Sequence, residues 1–116
     1  MKKIIVIDNK EERGREIRDT LRQVLTSIVI VHKKEISEIE YSNSNYEAVF
    51  FHNNNTESQW IIERKQSSNS PPIVAFSGEA FSCKQKRDGY FLYRPDHLEN
   101  PENIEFILSE MGIKDG

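Results

Sequence analysis

Four short apolar runs in this chain each stop at a single polar residue. Ile4-Ile5-Val6-Ile7 stops at Asp8, Ala48-Val49-Phe50-Phe51 at His52, Ile73-Val74-Ala75-Phe76 at Ser77, and Tyr90-Phe91-Leu92-Tyr93 at Arg94. Runs this short, with no polar residue alternating inside them, fit strands buried on both faces of a parallel sheet. They predict strands over Lys3–Ile7, Ala48–Phe51, Ile73–Phe76 and Tyr90–Tyr93. Ile28–Val31, followed by His32, predicts one more.

The intervening segments read as helices of uneven strength. Lys10–Leu25 carries Ile17, Leu21, Val24 and Leu25 at helical spacing, with Ile28 completing the stripe or already opening the next strand. Arg13, Arg15, Glu16, Arg18 and Arg22 cover its wet face, and Glu11 with Arg15 is spaced for a supporting ion pair. Ile36 and Ile39 suggest one or two turns within 33–45, ending in a polar turn. Asn53-Asn54-Asn55 reads as a loop, and Thr56 with Gln59 as a capping box opening a helix to about Gln66, with Trp60 and Ile61 inward. Gly78–Asp88 has one large apolar residue, Phe81, and predicts a short, loosely held helix. Asn100-Pro101-Glu102 supplies a cap, a first-turn proline and an acid. Ile104, Ile107, Leu108 and Met111 then form a buried stripe that Gly112 ends.

Strands alternating with helices predict an α/β fold: a flavodoxin-like, doubly wound, five-stranded parallel sheet with helices on both faces. The 116 residues suit one domain spanning 1–116. In the strand order 2-1-3-4-5, the first and third strands flank the switch point, and ligands bind at the carboxyl ends of the strands. Asp8 and His52 then end neighbouring strands about 5 Å apart. Ser77 follows beside His52, and Arg94 beside Ser77.

Charge and composition narrow the chemistry. A net charge of -3 argues against a nucleic-acid partner, which needs a basic face. The basic stretch Lys84-Gln85-Lys86-Arg87 reads as a solvated helix face or loop rather than a phosphate contact. Cys83 is the single cysteine, which leaves no internal disulfide and no cysteine-based zinc site and fits a reducing compartment. No run reaches the ~20 apolar residues of a membrane span, and the one after Lys2-Lys3 is shorter than a secretory h-region. The expectation is a cytoplasmic protein with no membrane contact.

The same strand ends resemble those of the receiver domain of two-component response regulators, and the resemblance covers almost the whole chain. Receivers carry an acidic pair ending strand 1, a phosphoacceptor Asp ending strand 3, Thr or Ser ending strand 4, and Lys-Pro ending strand 5. The matching stretches here are Val6-Ile7-Asp8-Asn9, Tyr46 to His52, Pro72 to Gly78, and Phe91-Leu92-Tyr93-Arg94-Pro95. The departures fall on the chemistry. Asp8 and Ser77 match in kind. Asn9 stands in place of the second acid, His52 in place of the acceptor, and Arg94 in place of the lysine. The stretch between Ser77 and Arg94 is shorter than in the family, which implies a reduced fourth helix.

The resemblance implies a crevice of Asp8, Asn9, His52, Ser77 and Arg94 that has kept its scaffold and lost the phosphorylation reaction. Magnesium prefers oxygen ligands, and an amide and an imidazole in place of two carboxylates remove two negative charges. Asp8 and Asn9 are left as weak metal candidates, with no cofactor expected. Asp8 is expected to partner Arg94 or His52. Phe91 and Tyr93 are candidates for the face that receivers use for partners. The implied function is a stand-alone, bacterial-type pseudo-receiver, not an enzyme, acting in two-component signal transduction by protein–protein interaction without phosphorylation. Its partner would be a histidine kinase, an output protein or a second copy of itself. Two alternatives remain open. One is a working phosphorelay receiver with unusual acceptor chemistry, such as His52 nitrogen. The other is a small hydrolase using Asp8, His52 and Ser77, although Ser77 lacks the Gly-x-Ser-x-Gly elbow. Nucleotide or flavin binding is disfavoured, because Asn9-Lys10-Glu11-Glu12 stands where a glycine-rich loop would be needed.

Overall fold

A six-stranded sheet organises the chain in the order β2-β1-β3-β4-β6-β5. The computed structural model describes residues 2–42, 44–53, 60–61, 71–78, 84–87 and 90–114. Its elements are β1 (Lys3–Ile7), α1 (Glu11–Val24), β2 (Val29–Lys33), α2 (Glu38–Ser42), β3 (Tyr46–His52), β4 (Ile73–Phe76), β5 (Lys84–Arg87), β6 (Tyr90–Tyr93), a 3-10 segment (Pro95–Glu99) and α3 (Pro101–Glu110). The five strands expected from the apolar runs are β1, β2, β3, β4 and β6. They pair in parallel in the expected 2-1-3-4-5 order.

The sixth strand corrects the reading of residues 78–88. Lys84–Arg87 is no helix face; it pairs antiparallel to β6, from Lys84 opposite Tyr93 to Arg87 opposite Tyr90. A segment this poor in apolar residues has no stripe to dock as a helix. A hairpin lets its backbone bond to a neighbouring strand instead. Phe81 and Cys83 lie outside the described residues, as does most of the helix expected over 56–66, of which Trp60 and Ile61 are helical.

Alternation along the strands divides the core into two faces. Ile4, Val6, Ala48, Phe50, Val74 and Phe76 pack with Ile17 and Leu21 of α1 and with Ile104, Ile107 and Leu108 of α3. Ile5, Ile7, Val49, Phe51 and Ile73 pack on the other side with Ile36, Tyr41 and Ile61. Each fully buried aliphatic or aromatic side chain contributes about 1.5–3 kcal/mol relative to exposure, so these two layers dominate the stability. Leu98 of the 3-10 segment is also fully buried in the first layer. Ile39, expected to share a helical face with Ile36, is instead 75% exposed, while Tyr41 is buried.

The ends of α3 follow its sequence signals. The Asn100 side chain accepts the Glu102 N–H at 2.9 Å, and Pro101 occupies the first turn. Gly112 adopts a positive φ of 74°. The Gly112 N–H donates to Ser109 and the Ile113 N–H to Leu108, a Schellman closure. Ile113 then packs back on the core. Among the described residues, no helix is long and apolar enough to cross a membrane.

Candidate functional site

The carboxyl ends of the parallel strands carry the candidate residues, and register sets their neighbours. Ile7 lies opposite Phe51, so Asp8 follows beside His52. His52 lies opposite Phe76 and Phe76 opposite Tyr93, so Ser77 and Arg94 complete the row. The two histidines after apolar runs prove to be inside strands, His32 in β2 and His52 in β3. The ladder beside them extends that far: Val6 pairs with His32 and Ile7 with Lys33.

Asp8 is completely buried, and its partner is Arg13. Arg13 Nε donates to Oδ2 at 2.6 Å and Nη2 donates to Oδ1 at 2.8 Å. The Lys10 N–H at the start of α1 adds a third bond to Oδ1 at 2.9 Å. This corrects the expected pairing of Asp8 with Arg94 or His52. Two strands, β3 and β4, separate β1 from β6, which puts Arg94 about 14 Å across the sheet. Arg13 lies in the first turn and a half of the adjoining helix, and its planar fork matches both carboxylate oxygens at once. The bond to Asp8 raises the Arg13 pKa further above its usual value, outweighing the opposing effect of burial.

The backbone of Asp8 is held as firmly as its side chain. Its N–H donates to the Lys33 carbonyl at 3.0 Å. Its carbonyl lies 2.9 Å from His32 Nε2, which must carry the proton to make this bond. The His32 ring sits directly against Gly14 of α1, where an added Cβ would lie 2.3 Å from Nε2. The glycine therefore lets the helix approach β2 closely enough for His32 to reach Asp8.

The other candidates are placed less compactly. Asn9 is exposed. His52 is 7% exposed, with its ring 5.5 Å from that of Phe76. Ser77 is buried, and its N–H donates to the Tyr93 carbonyl at 2.9 Å. Arg94 is exposed and its Nε faces Asp96 at 3.4 Å. Tyr93 is 2% exposed and stacks on His97 with ring centroids 5.5 Å apart, so it belongs to the core rather than to a partner-binding face. The Phe91 side chain lies outside the described residues. Among the described residues, no group of three or more His, Cys, Asp or Glu side chains is gathered for a metal.

Arg13, Gly14 and His32 are the site residues that the sequence reading missed. Arg13 reads as part of a solvated face because charged residues at helix starts usually are. The available signal was Gly14, a residue that weakens a helix interior and so often marks a close contact. No family model, curated protein or solved structure matches the chain.

Proposed function

We propose that this chain is a pseudo-receiver: a receiver-like domain that recognises another signalling protein, or a second copy of itself, without being phosphorylated. The observation that carries this reading is the state of the strand-end carboxylate. Asp8 holds the position of the family's strand-1 acid, yet both of its oxygens are bonded to Arg13. Residue 52, at the acceptor position, is an imidazole that cannot form an acyl phosphate. The residues also fit a magnesium ion poorly. Asn9 and His52 supply no carboxylate, and the one that remains is already neutralised.

The same geometry weighs against the hydrolase alternative. A catalytic acid must orient the histidine, and the Asp8 oxygens face Arg13 and the Lys10 N–H instead. Function then rests on docking. Phe106 on the outward side of α3 is a large apolar side chain that is 62% exposed.

Incubation with acetyl phosphate and MgCl₂ followed by intact-mass spectrometry tests the proposal. Unmodified protein is the expected result. A phosphoryl adduct on Asp8, His52 or Ser77 would replace this reading with that of a working receiver.

A further inference from the structure

We infer that Arg13 is a tethered counter-cation: it closes the Asp8 carboxylate to divalent metal ions. The inference deepens the pseudo-receiver reading and rests on it for the choice of site.

Three features combine. First, Asp8 is 0% exposed, so a metal ion could reach its oxygens only by displacing what already binds them. Second, those oxygens are engaged from two sides, by the guanidinium fork and by the Lys10 N–H. A guanidinium does not lose its proton in a protein, so alkalinity in the ordinary range does not release it. Attached five residues along the same chain, it acts at the high effective concentration of an intramolecular partner. A free cation would have to outcompete it while shedding its own water. Third, the Asp8 carbonyl is bonded to His32 and its N–H to Lys33. The backbone that carries the carboxylate therefore cannot shift away from Arg13 without breaking its bonds to β2. The neighbouring Asn9 adds no second charge to favour the metal.

Thermal unfolding with and without millimolar MgCl₂, at constant ionic strength, tests this on four proteins: the unaltered chain, Asn9→Asp, Arg13→Gln and Asn9→Asp/Arg13→Gln. Magnesium is expected to leave the midpoint of the first two unchanged and to raise that of the double variant, with a smaller rise for Arg13→Gln. Stabilisation by ligand grows with the ratio of its concentration to Kd, so a site of millimolar affinity is visible in such a scan. If Asn9→Asp responds as strongly as the double variant, Arg13 does not close the site and the inference falls. It falls equally if the double variant is folded and does not respond. If the double variant is unfolded without metal, folding induced by MgCl₂ supports the inference and continued unfolding overturns it. Asn9→Asp/Arg13→Lys keeps the charge without the fork and should give an intermediate response. A phosphoryl adduct in the acetyl phosphate assay would defeat the pseudo-receiver reading, whereas the four-protein comparison judges Arg13 alone.

Discussion

Adding one methyl group at Gly14 tests the packing that positions Asp8. In most helix interiors, replacing glycine with alanine stabilises by about 1 kcal/mol, because the unfolded chain loses freedom and the helix gains a better former. Here the new Cβ would lie 2.3 Å from His32 Nε2, 2.4 Å from Cδ2 and 3.0 Å from Cε1. No real carbon tolerates the first two distances, so either the ring or the helix must move. Overpacking of this kind costs about 1–3 kcal/mol. If the ring swings out, the hydrogen bond to the Asp8 carbonyl goes with it, at about 1 kcal/mol. The repulsion outweighs the helical gain, and Gly14→Ala should destabilise by about 1–2 kcal/mol. Urea unfolding followed by circular dichroism would read this as a lower midpoint at unchanged slope. The decisive arm is the sign change: in a His32→Ala background the obstacle is absent, and the same Gly14→Ala should stabilise by up to about 1 kcal/mol. A Gly14→Ala protein as stable as the unaltered chain would refute the contact.

Two further outcomes follow from the charges. Arg13→Ala strands a fully buried carboxylate and should cost about 3 kcal/mol by urea unfolding, while Asp8→Asn in the same background should recover much of that loss. Glu99 has its pKa raised, by partial burial first and then by a hydrogen bond and repulsion from Glu16, with Asp96 adding to it. Its folded-state pKa therefore lies above the unfolded one, so ionising it penalises the fold above the raised value. The penalty fades as pH falls and is gone below the unfolded value. Glu99→Gln should accordingly stabilise by a few tenths of a kcal/mol at neutral pH and low salt. The difference should vanish in acid. A gap that is independent of pH would show that the repulsion contributes nothing.

Much of the architecture was legible in the residue order, because it depends on interactions close in sequence. Short apolar runs mark buried strands wherever they pair, and Ile73–Phe76 and Tyr90–Tyr93 have the bounds their runs predict. The cap at Asn100 and the closure at Gly112 follow residue patterns specific to helix ends, a cap with proline and acid at the start and glycine at the finish, so their chemistry can be read locally. The row of strand-end residues followed from strand order alone. The identity of each residue's partner did not. Arg13 was visible as a charge on a helix, and Asp8 as an acid ending a strand. Only the docking of α1 on β1 and β2, with Gly14 against His32, decided that these two meet. Arg94 carries the same charge, but the order of the sheet places it three strands from Asp8. A hairpin rather than a helix at Lys84–Arg87 was likewise decided by the availability of the β6 edge, which no local pattern encodes. Sequence periodicity reports which side chains must leave water. Which oppositely charged groups pair depends on distances of a few ångströms that exist only once the layers have packed.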